Sequence, residues 1–318
     1  MESLLLPSVT LTMEKQHNFP LLTIVIPAYN ESASLAQLLP AWARYCRERN
    51  WNLILVNDGS TDDTARILNA YAHCSGVTIV HHKVNRGYGG AIKTGVLRAR
   101  TPYVVTIDAD GQHVISDVEK VFRFALEQDA DLVIGKREGP SSGLYREAGK
   151  VIIRAFARLL MPLPITDLNS GFKLYRTDLV RRYIKLCPDS MAFSDVITLL
   201  FINQRHLVQE YPVQVLSRQT GKSTINILTA IDTLLEILHL AVLINPLRVF
   251  LPMSAFWCLI GIGWGLPFVL MGKGVSAGAM LAIVIGVLFF FLGLIVNQIA
   301  ALRIQLLEQE QPRIPDKE

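Results

Sequence analysis

The chain has 318 residues, enough for one or two domains, and its 31 Lys and Arg against 27 Asp and Glu leave a formal net charge of +4. That balance excludes the strongly basic signature of a nucleic-acid-binding protein, and no nucleic-acid partner is expected. Hydrophobic residues make up 51% of the chain and the mean hydropathy is +0.33, so part of the chain is expected to lie in a membrane.

Residues 1–20 are predicted to be an N-terminal extension rather than a targeting segment. The stretch "MESLLLPSVTLTMEKQH" has no cationic start and contains Glu2 and Pro7, which makes it a poor secretory signal peptide. The domain that follows is therefore expected to stay in the cytosol. The cysteines show no paired spacing and are interpreted as reduced structural thiols.

Short apolar runs rich in β-branched residues alternate with helix-like segments through the first two thirds of the chain. The pattern predicts strands at 21–26, 52–56, 77–80, 103–107 and 131–134, with helices between most of them, for example at 32–49 and 61–73. This alternation predicts an α/β domain over residues 21–224, with a mostly parallel sheet covered on both faces.

Polar side chains follow three of these strands. "PAYNE" comes after the first strand, "NDGSTDD" after the second and "DADGQ" after the fourth. In open parallel sheets, ligands bind beyond the carboxyl ends of the strands, so these three loops predict one binding site at a single edge.

The fourth strand ends in two carboxylates one residue apart, Asp108 and Asp110, in the sequence "DADGQH". A calcium-binding helix-loop-helix is rejected, because His113 stands where its loop requires glycine and because a strand precedes the segment. Like charges this close are costly unless a cation lies between them. Two hard oxygen ligands favour Mg²⁺ or Mn²⁺, which would keep waters and bridge to substrate phosphates.

A cationic stripe follows the predicted sheet strands. Arg146, Lys150, Arg154 and Arg158 repeat every four residues, opposite apolar positions, and predict a helix. For Arg154 and Arg158 the favoured interpretation is a solvated face or a face against anionic lipid headgroups.

Residues 225–245 are predicted to form an amphipathic helix in the membrane interface. Apolar residues recur there at helical spacing, while Asp232, Glu236 and His239 on other faces argue against a membrane span. The alternative is a buried helix that packs on the preceding domain.

Residues 246–304 are predicted to form a transmembrane helical hairpin, followed by a cytosolic tail at 305–318. No charged residue occurs between Arg248 and Lys273 or between Lys273 and Arg303, and each interval exceeds the ~20 residues that cross a bilayer. Arg248, Arg303 and Arg313 flank the hairpin in agreement with the positive-inside rule. Two buried core helices are the alternative.

Five motifs in order give the chain a family resemblance. "IVIPAYNE", "LVNDGSTDDT", "NRGYGGAIKTG", "TIDADGQH" and "DLNSGFKLYR" resemble family 2 glycosyltransferases with the GT-A fold, and more narrowly the polyprenyl-phosphate glycosyltransferases, a group that includes dolichyl-phosphate mannose synthase and bactoprenol glucosyltransferases. The resemblance covers about residues 20–225. The "QxxRW" motif of processive synthases is absent, which implies one sugar per cycle.

The resemblance implies roles for individual residues. The nucleotide sugar would be bound by Pro27, Ala28, Tyr29, Glu31, Asp58 at the base, Lys93, Asp108, Gln112, and Arg218 at the diphosphate. Asp108, Asp110 and Gln112 would hold the metal, with Asp110 as its main ligand. Arg137, Arg146 and Lys150 would hold the acceptor phosphate. In "RQTGKST" Thr224 stands where the family commonly has lysine, for which Lys222 would compensate.

The implied reaction is inverting, metal-dependent transfer of one hexose from a nucleotide sugar to a polyprenyl phosphate at the cytosolic membrane face. The acceptor is already an anion, so a strong general base is less necessary than for a hydroxyl acceptor. Asp167 and Asp195 are candidates for binding sugar hydroxyls or orienting the acceptor.

The two-helix hairpin resembles the bacterial glucosyltransferase branch and favours UDP-glucose as donor. A GDP-mannose-dependent polyprenyl-phosphate mannosyltransferase, a membrane glycosyltransferase with a hydroxyl acceptor and a non-catalytic nucleotide-sugar binder remain alternatives. A homo-oligomer is expected. His81 and His82 have no acidic or cysteine neighbour in the sequence and are interpreted as structural.

Overall fold

The computed structural model describes residues 20–138, 165–168, 170–214, 238, 241–242 and 245–309, with the side chains of the last helix described to Leu302. Five predicted features lie wholly or mostly outside these residues: the N-terminal extension, the cationic stripe with Arg146 and Lys150, the Arg218 loop, the interface helix and the tail. The chain divides into two compact units, and each is described by itself.

The first unit is built on a seven-stranded sheet with the order β3-β2-β1-β4-β6-β5-β7. Its strands are β1 (Leu22–Ala28), β2 (Asn52–Asn57), β3 (Val77–His81), β4 (Tyr103–Thr106), β5 (Leu132–Glu138), β6 (Lys173–Arg176) and β7 (Val208–Gln214). Strand β6 pairs antiparallel with β4 and β5, whereas the other strand pairs are parallel.

Helices connect these strands and cover the sheet. They are α1 (Ser32–Glu48), α2 (Thr64–Asn69), α3 (Tyr88–Arg98), α4 (Ile115–Gln128), α5 (Thr177–Tyr183), a 3₁₀ turn (Ile184–Leu186) and α6 (Phe193–Asn203). Leu35, Leu39 and Trp42 of α1 and Val121 and Phe122 of α4 are buried in the same apolar core as the central strands. The predicted α/β fold with a mostly parallel sheet is confirmed.

All five predicted strands are present, but β6 and β7 were not predicted. Strand β6 is only four residues long and begins with a buried lysine, so it lacks the apolar run that marks a strand. Strand β7 lies at the sheet edge and contains Pro212. Proline has no backbone N–H group to donate, and it is tolerated at an edge because no further strand requires that hydrogen bond.

Helix α2 begins later than the predicted 61–73 segment because the residues before it bind the start of α1. The Asp62 carboxylate accepts hydrogen bonds from the backbone N–H groups of Ser32, 3.2 Å away, and Thr64, 3.0 Å away. Burial raises the pKa of Asp62, but these hydrogen bonds outweigh it and lower the pKa to about 2. The loop after β2 therefore stabilises the start of α1.

The topology collects chemistry at one edge of the sheet. Strand β1 lies between β2 and β4, so the loops after these three parallel strands meet at a topological switch point. The end of β5 and the start of β6 lie at the same edge, because Lys173 pairs with both Thr106 and Ile134.

The second unit contains two long apolar helices, α7 (Leu247–Leu270) and α8 (Ala277–Gln309). Both are long and apolar enough to cross a membrane. In the most apolar 18-residue stretch of each helix, only 17% and 22%, respectively, is buried. Helices in the core of a soluble protein would be mostly buried, so the exposure favours membrane spans.

Glycines bring α7 and α8 into close contact. A Cβ atom at Gly286 would lie 2.5 Å from the Cys258 Sγ atom and 2.9 Å from the Ser254 carbonyl oxygen. A Cβ atom at Gly261 would lie 2.6 Å from Ile283. Small residues allow this approach, which drives helix association where surrounding lipid removes the hydrophobic contribution.

We expect Gly286→Val to destabilise the hairpin by about 1–3 kcal/mol, because the added methyl groups overpack a closed contact. Gly263→Val is the matched control, since a Cβ atom there meets nothing within 4 Å. Thermal unfolding of the detergent-solubilised protein, followed by tryptophan fluorescence, measures both. Equal melting temperatures for the two variants would contradict the close packing at Gly286.

Candidate active site

Asp108 is held at the carboxyl end of β4 by contacts from two other segments. The Tyr88 hydroxyl, at the start of α3, donates to Asp108 Oδ1 at 2.8 Å. On the other side, Gly171 lies so close that a Cβ atom there would overlap the Asp108 carboxylate. Burial raises the pKa of Asp108, the Tyr88 hydrogen bond opposes the shift, and the charge of Asp110 adds to it. The ionised carboxylate therefore depends on nearby donors and cations.

Asp110 lies in a tight turn beside Asp108. Its Oδ1 atom accepts the Gln112 backbone N–H at 3.1 Å, and Gly111 has a φ of +77°, which favours glycine. The turn places the carboxylates of Asp108 and Asp110 and the amide of Gln112, the three predicted metal ligands, on one short segment.

The glycines of "RGYGG" permit contact between α3 and residues 188–190. Cβ atoms at Gly87 and Gly89 would lie 2.5 Å from the carbonyl oxygens of Asp189 and Pro188, respectively. Lys93 binds the same segment, with Nζ 2.5 Å from the Cys187 carbonyl oxygen and 2.6 Å from Asp189 Oδ1. The structure thus gives these glycines a packing role and engages Lys93, predicted to bind the nucleotide sugar, with protein groups.

Arg137, at the end of β5, forms a bidentate ion pair with Asp167. Its Nε and Nη2 atoms lie 2.9 and 2.8 Å from the two carboxylate oxygens. Burial raises the pKa of Asp167, but the Arg137 hydrogen bond and charge outweigh it and lower the pKa overall. The backbone N–H of Asp167 in turn donates to Glu210 of β7 at 2.7 Å.

Lys173, the first residue of β6, is fully buried beside this ion pair. Its ammonium contacts the Leu168 carbonyl oxygen and two residues of α6, Ser194 and Thr198. Burial lowers the pKa of Lys173 to about 8, while the charges of Asp195 and Asp167 oppose the shift. Asp195, predicted to act on the sugar or acceptor, lies in the first turn of α6.

The charged groups at this edge of the sheet interact with one another. Electrostatic interactions link four carboxylates and two fixed cations: Asp108, Asp110, Asp167 and Asp195 with Arg137 and Lys173. Among the described residues no three His, Cys, Asp or Glu side chains converge as a metal site. The carboxylates of Asp108 and Asp110 are the hard oxygen donors that Mg²⁺ and Mn²⁺ prefer.

The residues predicted to line the nucleotide pocket on β1 differ in their exposure. The side chains of Pro27 and Ala28 are buried in the sheet, whereas 47% of Tyr29 is exposed. Glu31 accepts a hydrogen bond from the Ser34 hydroxyl at 3.1 Å. Pro27 and Ala28 therefore offer only backbone groups to a ligand, whereas the exposed ring of Tyr29 offers an aromatic face on which a ligand can stack.

Asp58, predicted to bind the base, is paired with His82. The Oδ1 atom lies 2.6 Å from His82 Nδ1 and accepts the Arg86 backbone N–H at 2.9 Å. The expectation that His82 lacks an acidic partner is wrong, because the parallel pairing of β2 and β3 brings together residues 24 positions apart. His81 contacts Asn57 and Asn69.

Three residues of this edge were missed in the sequence: Tyr88, Lys173 and His113. His113 is 6% exposed, packs edge-on against Phe172, and its Nδ1 atom has no hydrogen-bond partner among the described residues. Burial lowers its pKa. Each of the three lies inside a motif that carries the family resemblance. Their place in these motifs was the feature of the sequence from which they could have been predicted as site residues.

A surface depression of about 570 Å³ lies at the opposite edge of the sheet, beside Tyr103. Two of its arginines have protein partners: Arg181 donates to the last carbonyl groups of α3, and Arg176 lies 3.6 Å from both Asp131 and Asp178. None of the predicted site residues lines it.

Comparison with known families identifies the catalytic unit. The model of glycosyl transferase family 2 matches residues 23–184, which is half of the chain. The chain belongs to glycosyl transferase family 2. A second model, the GtrB C-terminal hairpin, matches residues 245–302 and so covers α7 and most of α8. The predicted family and enzyme class are confirmed.

Curated relatives include enzymes named for polyprenyl-phosphate acceptors. An undecaprenyl-phosphate 4-deoxy-4-formamido-L-arabinose transferase from Sodalis glossinidius is 26% identical over 279 residues, or 85% of this chain and 83% of its own. A dolichyl-phosphate beta-glucosyltransferase from Dictyostelium discoideum is 28% identical over 60% of this chain and 68% of its own.

The fold also matches solved structures. Glucosyl-3-phosphoglycerate synthase from Mycobacterium tuberculosis aligns with a TM-score of 0.55 and 18% identity over 72% of this chain and 82% of its own. This likeness establishes the fold and confirms the predicted GT-A architecture.

Tyr88→Phe is expected to shift the acid limb of the sugar-transfer pH profile upward. The lost hydrogen bond stabilises ionised Asp108, so its removal raises the Asp108 pKa further. A hydrogen bond to a charged group contributes about 1.5–3 kcal/mol, so its loss is large enough to move the acid limb measurably. Initial rates between pH 5 and 9 measure it.

Tyr45→Phe is the matched control. It also removes a tyrosine hydrogen bond to a carboxylate, here Glu119 at 2.7 Å, on α1 and α4 away from the site. Coincident acid limbs for Tyr88→Phe and the wild type would contradict the proposed stabilisation of Asp108.

Proposed function

We propose that this glycosyltransferase moves one hexose from a nucleotide sugar to a polyprenyl phosphate at the cytosolic membrane face, with UDP-glucose as the leading donor. The observation that carries the proposal is one chain that combines paired carboxylates at the switch-point edge with a hairpin of two apolar helices. The acceptor class is supported by relatives named for undecaprenyl and dolichyl phosphates.

On the donor side, Asp108, Asp110 and Gln112 would hold Mg²⁺ or Mn²⁺ against the diphosphate of the sugar nucleotide. A bound divalent ion supplies charge stabilisation of the leaving diphosphate as a Lewis acid. Tyr88 keeps the Asp108 carboxylate oriented for this role. Pro27, Ala28, Tyr29, Glu31, Asp58, Lys93 and Arg218 retain their predicted place around the nucleotide sugar, where Lys93 acts through residues 187–189.

On the acceptor side, Arg137 is the described candidate for the lipid phosphate, together with Arg146 and Lys150 from the sequence. A guanidinium binds phosphate oxygens in the same bidentate geometry in which Arg137 binds Asp167. Asp167 therefore presents the arginine at the edge that carries Asp108. The positive-inside pattern of Arg248, Arg303 and Arg313 supports a cytosolic position for this face.

The reaction that fits these groups is a single displacement. An oxygen of the acceptor phosphate attacks the anomeric carbon, the bond from that carbon to the diphosphate breaks, and the nucleoside diphosphate leaves with inversion. The phosphate is already anionic, so no proton has to be removed for the attack. Asp195 would bind sugar hydroxyls or orient the acceptor.

The direct test incubates the purified full chain with undecaprenyl phosphate, Mn²⁺ and, in separate reactions, radiolabelled UDP-glucose and GDP-mannose. We expect label from UDP-glucose in a lipid product that mild acid releases. Label from GDP-mannose alone would show that the donor is GDP-mannose and not UDP-glucose. Label on a hydroxyl group would contradict a phosphate acceptor. Absence of any transfer would overturn the proposed function.

Asp110→Ala is expected to reduce transfer by at least about a thousandfold, since metal stabilisation of a leaving group contributes several kcal/mol. EDTA should abolish wild-type activity, and Mn²⁺ or Mg²⁺ should restore it. Asp178→Ala, at the opposite edge of the sheet, is the control and should keep normal turnover. Activity of the wild type after exhaustive EDTA treatment would contradict the metal-dependent mechanism.

Arg137→Ala is expected to raise the KM for undecaprenyl phosphate about tenfold to a hundredfold, because a charge-assisted hydrogen bond contributes about 1.5–3 kcal/mol. The KM for the sugar nucleotide should change far less. Arg176→Ala is a matched control, since both arginines are similarly exposed, at 45% and 41%, and lie beside aspartates. Steady-state kinetics with each substrate varied separately decides, and equal effects of the two variants would refute the assignment.

A further inference from the structure

Lys173 contributes a buried ammonium group whose contacts have no role in the steps above. Its Nζ atom lies 2.7 Å from the Leu168 carbonyl oxygen, 2.6 and 2.7 Å from the Ser194 carbonyl and hydroxyl oxygens, and 2.9 Å from Thr198 Oγ1. The residue is 0% exposed. Three N–H donors therefore serve four acceptors from two separate segments of the chain.

This arrangement is an expensive way to stabilise a fold. A buried ammonium loses its hydration, and the four oxygens that accept its hydrogen bonds are uncharged carbonyl and hydroxyl groups. What the ammonium adds is geometry, because hydrogen bonds to four oxygens fix those oxygens relative to one another.

The segments that Lys173 joins are those that carry the site's other carboxylates. Leu168 directly follows Asp167, the partner of Arg137, and Ser194 directly precedes Asp195. Lys173 itself pairs with Thr106 of β4, two residues before Asp108. One side chain thus connects the strand that ends in Asp108 to the segments of Asp167 and Asp195.

The spacing between these segments is tight. Gly171, two residues before Lys173, packs directly on the Asp108 carboxylate. The Ser194 hydroxyl donates to the Ser170 carbonyl oxygen at 2.8 Å, so α6 also contacts this loop. A shift of α6 or of residues 165–168 would therefore move carboxylates that act on the reacting groups. A misplacement of about 1 Å reduces rates by about a hundredfold.

We propose that Lys173 is a positioning residue for sugar transfer, whose ammonium holds the segments of Asp167 and Asp195 in register with Asp108. The inference rests on the proposed function. Lys173 is fully buried, so its removal lowers turnover without deleting a direct contact with either substrate.

The test compares Lys173→Met, Thr198→Val and Thr23→Val in the purified full chain, with undecaprenyl phosphate and labelled UDP-glucose. Lys173→Met keeps a similar side-chain length and removes the ammonium. Thr198→Val removes one of the four acceptors. Thr23→Val is the matched control, because it removes a buried hydrogen bond of 2.7 Å to Thr101, in the half of β1 that precedes the site edge.

We expect Lys173→Met to lower kcat about a hundredfold and Thr198→Val about fivefold, with KM for both substrates within about threefold of wild type. Thr23→Val should keep the wild-type kcat even where its melting temperature falls. If Lys173→Met does not fold, the kcat of Thr198→Val decides.

Wild-type kcat in Thr198→Val, or an equal loss of kcat in Thr23→Val, would overturn the positioning role. A rise in KM for one substrate at unchanged kcat would overturn it as well, because Lys173 would then act in binding. If the wild type transfers sugar and Lys173→Met has the wild-type kcat, this inference is refuted and the proposed function stands. A wild-type chain that transfers no sugar overturns both this inference and the proposed function.

Discussion

The site depends on an ionised carboxylate, Asp108, at the end of a buried strand. Burial opposes its charge, and so does Asp110 two residues later. The position is tolerated because Tyr88 donates to the carboxylate and because Gly171 has no side chain to displace it. A glutamate would extend the side chain by one methylene group at a position where Tyr88 and Gly171 already contact the carboxylate. The constraint therefore applies to position as well as to charge.

Fixing Asp108 in this way fixes a closed series of segments. Tyr88 begins α3, whose glycines contact residues 188–190, and that segment leads into α6. Lys173 ties α6 to β6, and β6 pairs with β4, which returns to Asp108. Each contact in the series restricts the position of the next segment. The sheet edge that carries Asp108 is therefore held in place by all of these segments together. The geometry of such a unit responds to changes at residues that never touch a substrate.

The sequence predicted the parts of the fold that local patterns determine. The strands β1 to β5 are apolar runs, and the polar loops after β1, β2 and β4 located the site edge. It did not predict β6 or the partners of Tyr88, His82 and Lys173, because contacts across 20 or more residues follow from sheet order. The glycines of "RGYGG" were visible only as part of a family motif, and their close packing against residues 188–190 appears only in the structure.

Glycine has the same geometric function in both units, but the driving forces around it differ. In the catalytic unit the burial of apolar side chains drives folding, and glycines such as Gly89 and Gly171 let backbone approach groups that must be fixed. In a membrane, lipid would be as apolar as the outward residues of the hairpin, so burial would contribute little there. The association of α7 and α8 then rests on contact at Gly261, Gly286 and their neighbours. The outward positions of the hairpin consequently require only an apolar side chain, whereas positions such as Gly89 and Gly171 in the catalytic unit require glycine.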